Sequence, residues 1–172
     1  YDDGVNCDCE CDVVDPDCAL PGAPVVGCSG DEICAVGVCA EPAVNDACVD
    51  AIPLVEGTVT GTWVNSTSSL DPGDDGCTDF AAVGGDVFYS VSLDAGETLT
   101  VAIDQLGSIA DSALYLVTDC ADAASCVAGI DTAPGNAEVL VYTATSNIDL
   151  YLVVDQYGNT DQVDFELTVD IQ

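Results

Sequence analysis

No side chain in this sequence can carry a positive charge. The 172 residues include 25 Asp and 7 Glu but no Lys, Arg or His, so the formal net charge of −32 has no internal compensation. Any compact state must hold together against its own self-repulsion. Even so, 49% of the residues are hydrophobic, enough for a buried core and too many for a disordered acidic tail. The charge also excludes functions. Without a cation to meet phosphates, the chain has no nucleic-acid partner and no anionic-membrane partner. Without His or Lys it has no imidazole base, no Schiff base, no P-loop and no His-ligated metal.

The eleven cysteines are unevenly placed. Cys7, Cys9, Cys11, Cys18, Cys28, Cys34 and Cys39 fall in the first 39 residues, and Cys48, Cys77, Cys120 and Cys126 follow. Dense cysteine in a stretch poor in large apolar residues reads as a disulfide framework, which requires an oxidising compartment. Metal–thiolate ligation fits less well, because Cys7-x-Cys9-x-Cys11 lacks the C-x₂-C spacing of a zinc knuckle and is flanked by acids. The sequence starts at Tyr1 rather than Met, as expected once a signal segment has been removed. It contains no apolar run of about 18 residues that could span a membrane. The expected location is secreted, extracellular or cell-surface.

Two regions differ in character. Residues 1–42 carry seven cysteines together with Pro16, Pro21, Pro24 and Pro42. They have too little apolar material for a core of their own and are expected to rely on staples. Residues 43–172 are rich in Val, Thr, Ile, Leu and Tyr. Asp86–Leu93, Thr98–Ile103 and Asp164–Ile171 alternate apolar and polar with a period of two, and Thr58–Val64, Ala113–Thr118, Ser125–Ile130, Glu138–Thr143 and Asp149–Val154 are further strand candidates. Such alternation predicts antiparallel sheet with one wet face. Ala95-Gly96, Pro134-Gly135-Asn136 and Gly158-Asn159 supply turn chemistry between the runs. A helical turn is the most that residues 108–113 can hold. The predicted fold is all-β: an antiparallel, jelly-roll-like β-sandwich of about eight strands, preceded by a small, irregular, disulfide-rich segment.

Three stretches carry a family resemblance. Asn45–Leu54 followed by Gly57–Thr62 resembles the opening of the bacterial pre-peptidase C-terminal domain family. Gly85–Val91 resembles that family's D-V-(W/F)-Y-S strand, and Leu114–Thr118 with Cys120 and Cys126 resembles its L-x-V-Y-x-x-x-C hairpin. The resemblance covers residues 45–172. It implies a non-catalytic jelly-roll-like domain, found beside secreted hydrolases or on bacterial surface proteins and sometimes binding calcium. It also implies that Cys120 pairs with Cys126, and pairing Cys48 with Cys77 would then complete the sandwich. Cys7–Cys18 and the Cys28, Cys34, Cys39 spacing are similar to cysteine-rich segments of large bacterial surface proteins. Seven amino-terminal cysteines leave one over. An odd cysteine in a secreted protein implies an interchain bridge or a free thiol, unless a pairing is misassigned or a partner was lost in processing.

Asp71, Asp74, Asp75 and Asp79 place four carboxylates within nine residues of a Gly/Pro loop, and Asp8, Asp12, Asp15 and Asp17 form a second group with Glu10. Acidic flexible loops suit Ca²⁺, which takes several oxygen ligands, although neither group follows the EF-hand pattern and both also read as solvated acidic loops. Bound divalent ions would relieve the self-repulsion. No organic cofactor is implied. Asn65-Ser66-Thr67 matches the N-glycosylation sequon. Trp63, Phe88, Tyr89, Tyr115, Tyr142, Tyr151 and Tyr157 either form a sugar-stacking platform or, since most lie in strand runs, pack in the core. Nothing singles out a catalytic pair among 32 acids, and a thiolate nucleophile has no His partner.

The sequence thus leads to a non-catalytic secreted structural protein, a subunit that self-assembles as a homo-oligomer or polymer into a filament or surface layer, stabilised by disulfides and calcium. The alternative is a calcium-stabilised adhesion or glycan-binding module of a larger secreted protein or hydrolase.

Overall fold

The computed structural model describes residues 7–8, 25–28, 32–35, 38–73, 76–106, 111–132, 137–158 and 163–172. The chain divides into two compact units, Tyr1–Ala43 and Val44–Gln172. In the first, β1 (Cys7–Asp8) pairs in parallel with β2 (Val25–Val26). β3 (Ile33–Ala35) forms an antiparallel ladder with β4 (Val38–Ala40). A disulfide joins Cys28 to Cys39.

The second unit is the all-β sandwich expected from the sequence. Its strands are β5 (Ile52–Pro53), β6 (Gly57–Thr62), β7 (Val87–Leu93), β8 (Thr98–Asp104), β9 (Ser112–Val117), β10 (Cys126–Asp131), β11 (Val139–Thr143), β12 (Ile148–Gln156) and β13 (Asp164–Ile171). One sheet has the order β10-β9-β12-β7-β5 and the other β11-β8-β13-β6. Apart from the β9–β10 hairpin, successive strands from β5 to β13 alternate between sheets, so most neighbours in a sheet are remote in sequence. Among the described residues of this unit the only parallel pairing is that of β5 with β7, where Ile52 faces Tyr89.

The alternating strands build the four-stranded sheet as predicted. Leu99, Val101 and Ile103 of β8 and Phe165, Leu167 and Val169 of β13 point inward, while Thr98, Thr100 and Thr168 are half-buried or exposed on the outer side. The five-stranded sheet departs from the one-wet-face expectation. All six residues of β9 are buried, as are Leu152–Gln156 of β12 and Val87–Tyr89 of β7. The described residues of the stretch after Trp63, 64–73 and 76–86, form a covering segment on its outer face. There Leu70 and Ala82 pack with Phe88, Ala113, Tyr115, Val117, Cys120 and Val153 into a second core. Of the helical turn considered for residues 108–113, residues 108–110 lie outside the described residues, and Ser112 and Ala113 open β9 instead.

The disulfides correct the expected pairing. Cys48 bonds to Cys120 and Cys77 to Cys126, instead of Cys48 to Cys77 and Cys120 to Cys126. The physical reason is the second layer. Cys48 belongs to the segment leading into β5 and Cys77 to the covering segment, and each is tied down to one end of the β9–β10 hairpin. The two bridges span 72 and 49 residues, and closing loops of that length restricts the unfolded chain by about 4 kcal/mol each on chain-entropy grounds. Gly129 in β10 lets the covering segment approach, since a Cβ there would lie 2.8 Å from both the carbonyl oxygen and the sulfur of Cys77.

Between the sheets, Trp63 is fully buried and packs against Phe165 with ring centroids 4.4 Å apart and the planes tilted by 46°. Its indole N–H donates to the Val154 carbonyl at 3.1 Å, tying the end of β6 to the opposite sheet. Gly61 has no side chain because the Phe165 ring fills that space, and a Cβ would sit 2.3 Å from it. Gly61→Ala is therefore expected to cost about 1–3 kcal/mol by overpacking, read as a lower urea midpoint at unchanged slope. Phe165→Leu in the same chain should restore part of the loss. Digestion at acidic residues without reductant should release linked peptides for Cys48–Cys120 and Cys77–Cys126. Recovery of Cys48 linked to Cys77 would contradict this arrangement.

Candidate functional site

The covering segment is held by carboxylates that accept from its backbone. Asp86, just before β7, is fully buried. One of its oxygens accepts from the amides of Ser69 at 2.9 Å and Leu70 at 2.7 Å, and the other from the Ser69 hydroxyl at 2.7 Å. Asp46 accepts from both the amide and the hydroxyl of Thr67. Asp71 accepts from the amides of Gly73 at 2.8 Å and Ala82 at 3.1 Å, closing the two limbs of the segment on each other. Such short side-chain-to-backbone bonds are how Asp residues fix non-repetitive structure.

Beneath them lie Tyr115 of β9 and Asp155 of β12. Tyr115 pairs with Val153 in the ladder, so Asp155 is its diagonal neighbour on the same face. The phenol oxygen is 2.8 Å from Asp155 Oδ2 and 3.2 Å from the Leu70 carbonyl. Asp155 Oδ1 accepts from the Gln156 amide at 2.7 Å. Asp46, Asp86, Asp155 and Asp71 thus form an acid array with no cation near it. Burial pushes Asp86 up to about 6 despite its three donors, with a further rise from the charge of Asp46. Burial raises Asp155 well above the usual carboxylate range, helped by the charges of Asp86 and Asp71. The Tyr115 phenol is raised by burial and by the neighbouring Asp155.

A second acid group lies where β9 starts and β10 ends. Asp131 is pushed up to about 6 by burial and by the charges of Asp111 and Glu138. Glu138 is 1% exposed. One of its oxygens accepts from the amide and hydroxyl of Thr132 at 3.1 and 2.7 Å. The other finds no hydrogen-bond partner among the described residues.

Of the residues singled out from the sequence, Asp71 belongs to the acid array. Asp71 is committed to loop amides, and Asp79 is exposed in the left-handed region at φ 65°, which Asp tolerates better than most residues. Asp74, Asp75, Asp12, Asp15 and Asp17 lie outside the described residues, as does the Asp8 side chain. Among the described residues no three acidic or cysteine side chains are gathered as a metal ion would require. Asn65 is half-buried at φ 61°, inside the turn closed by the Ser66 amide on the Trp63 carbonyl. Trp63, Phe88, Tyr89 and Tyr115 are core residues, and Tyr157 is 55% exposed.

The buried array was not identified from sequence, although one signal pointed to it. Asp155 interrupts the otherwise apolar run Leu150–Val154, and a lone acid there marks a buried carboxylate with a special partner. Chemically, the array satisfies loop amides, and burial favours the protonated form of Asp86 and Asp155. Its two deepest carboxylates, Asp86 and Asp155, are both 0% exposed and out of reach of a substrate.

The carboxylates with raised pKa values bind protons more tightly folded than unfolded. Their contribution is greatest below the unfolded carboxylate range near 4 and is lost as pH rises through about 6. The melting temperature should therefore be higher at about pH 5 than at neutral pH. Asp86→Asn, which keeps an oxygen for the two amides and gains a donor for Ser69, should stabilise the neutral-pH protein by on the order of 2 kcal/mol and flatten that dependence. An unchanged slope in calorimetry would contradict the assignment.

No protein-family profile matches the chain, and no curated protein matches it. Among solved structures it is similar to the pre-peptidase C-terminal domain of the collagenase from Bacillus anthracis, at 19% identity and a TM-score of 0.46 over 70% of this chain and 94% of that one.

Proposed function

We propose that this chain is a non-catalytic, exported structural protein, a subunit that joins copies of itself into an extracellular filament or surface layer. The observation that carries the reading is cysteine arithmetic constrained by the fold. The four cysteines of the sandwich pair with one another and Cys28 pairs with Cys39. Cys7, Cys9, Cys11, Cys18 and Cys34 remain. Five is odd, so at least one of these sulfurs cannot be bridged within the chain, and an interchain disulfide satisfies it.

Other features support the same reading. Disulfides of this density belong to oxidising, extracellular surroundings. Among the described residues, β6 and β11 of the four-stranded sheet are each paired on one side only, and an open edge accepts a strand from another copy. Lacking Lys and Arg, the chain offers trypsin-like proteases no cleavage site, which suits an exposed, durable material. The alternative, a glycan-binding or adhesion module, needs an aromatic platform at the surface. Burial of Trp63, Tyr89 and Tyr115 disfavours it, leaving Tyr157 as its best element. Calcium fits either reading as a screen between like-charged surfaces.

Electrophoresis with and without reductant, paired with negative-stain microscopy in calcium and in chelator, tests the proposal. Oligomer bands that collapse on reduction, together with filaments or sheets promoted by calcium, are expected. A chain that is monomeric in both lanes and forms no ordered assembly would overturn the reading, and capture by a glycan array would then favour the binding module.

A further inference from the structure

A proton count at Tyr115 points to a specific protonation state in the covered face. The phenol oxygen lies within hydrogen-bond distance of two acceptors, Asp155 Oδ2 at 2.8 Å and the Leu70 carbonyl at 3.2 Å. A phenol carries one hydrogen and can serve only one of them. The second contact needs a second proton. If Asp155 is a neutral acid, its O–H donates to the Tyr115 oxygen and the Tyr115 O–H donates to Leu70. The other Asp155 oxygen keeps the Gln156 amide at 2.7 Å, and every partner is then satisfied.

We propose that Asp155 is held as a neutral carboxylic acid in the folded protein at neutral pH, and that its proton latches the covering segment around Leu70 onto the five-stranded sheet through Tyr115. The surroundings leave few alternatives. Asp155 is 0% exposed. The groups facing it are Tyr115 from β9 and Asp86 and Asp71 from the covering segment, with Asp46 acting on Asp86 in turn. None is cationic. The nearby Trp63 indole N–H is committed to the Val154 carbonyl.

Loss of this proton has two consequences on the same segment. The Tyr115 hydrogen must turn to the new carboxylate, which releases the Leu70 carbonyl. A bare charge then sits between Asp86 and Asp71, and both of these belong to the segment that Leu70 anchors. Leu70 also packs into the second core with Phe88, Tyr115 and Val153. Deprotonation at alkaline pH therefore lifts the cover and exposes that apolar face, while Cys77–Cys126 keeps the segment tethered.

Infrared spectroscopy of the full chain with carboxyl-labelled Asp, combined with hydrogen exchange, tests this. At about pH 8, where Asp86 and Asp131 are ionised, a protonated-acid carbonyl band is expected, and it should be lost in Asp155→Asn but kept in Asp86→Asn. Exchange of amides in residues 63–73 should show an alkaline step in the native chain that Asp155→Asn abolishes, because the amide mimics the neutral acid. A native chain without the band, a band that survives Asp155→Asn, or an alkaline step unchanged in that variant would each overturn the proposal. Should Asp155→Asn not fold, Tyr115→Phe decides. It removes the relay to Leu70 and leaves only the repulsion of the Asp155 charge by Asp86 and Asp71, so the alkaline step should shrink, and an undiminished step would refute the latch.

Discussion

A buried carboxylate in a chain without cations can be made tolerable in only two ways: neutral donors surround it, or it keeps a proton. This protein uses both. Asp46, Asp71 and Asp86 collect amide and hydroxyl hydrogens from residues 67–82. Asp155 sits too deep for that and has one amide and one phenol. An ion pair would have served with a single long side chain. Here each acid instead dictates the path of several backbone units, so the chain's composition is converted directly into loop geometry.

That geometry explains why the sandwich has a second core. A segment of more than twenty residues without regular strands would normally lie loosely over a sheet, exposing both itself and the face below. Its amides are instead consumed by acids rooted near β7 and ahead of β5, which lets Leu70 and Ala82 settle on Phe88, Tyr115 and Val153. The two long-range disulfides act on the same layers. Cys48–Cys120 and Cys77–Cys126 pin the lead segment and the covering segment to one hairpin. Hydrogen bonds position the cover and covalent bonds keep it from leaving.

Strand positions were legible in the sequence because alternation is local. Thr98–Ile103 and Asp164–Ile171 show the period of two in their own residues, and both are strands. The covered face was not legible in the same way, since what covers β9 is more than thirty residues earlier in the chain. The unbroken apolar run Ala113–Val117 was nevertheless a trace of it, as strands buried on both faces lose their alternation. Disulfide pairing failed for a related reason. The family resemblance implied Cys120 with Cys126, whereas pairing follows the stacking of layers. The buried acids were hardest to see, because 32 identical charges carry no mark of which ones the fold will enclose. Asp155 was distinguishable only by its apolar neighbours, and the conspicuous cluster around Asp71 to Asp79 contributed just one member, Asp71, to the array.

The same restriction must govern any contact between copies. Two surfaces of like sign cannot be joined by salt bridges when neither offers a cation, so their acids must meet backbone amides, hydroxyls, protons or ions from solution. An open strand edge is the one surface that presents amides in a row. At β11 that edge lies beside Val139 and Val141, which are 45% and 57% exposed, so apolar contact and amide donors occur together on a strand that carries no acid of its own. A chain that resolved its interior by offering N–H groups to carboxylates has, at such an edge, the same chemistry available to a neighbour.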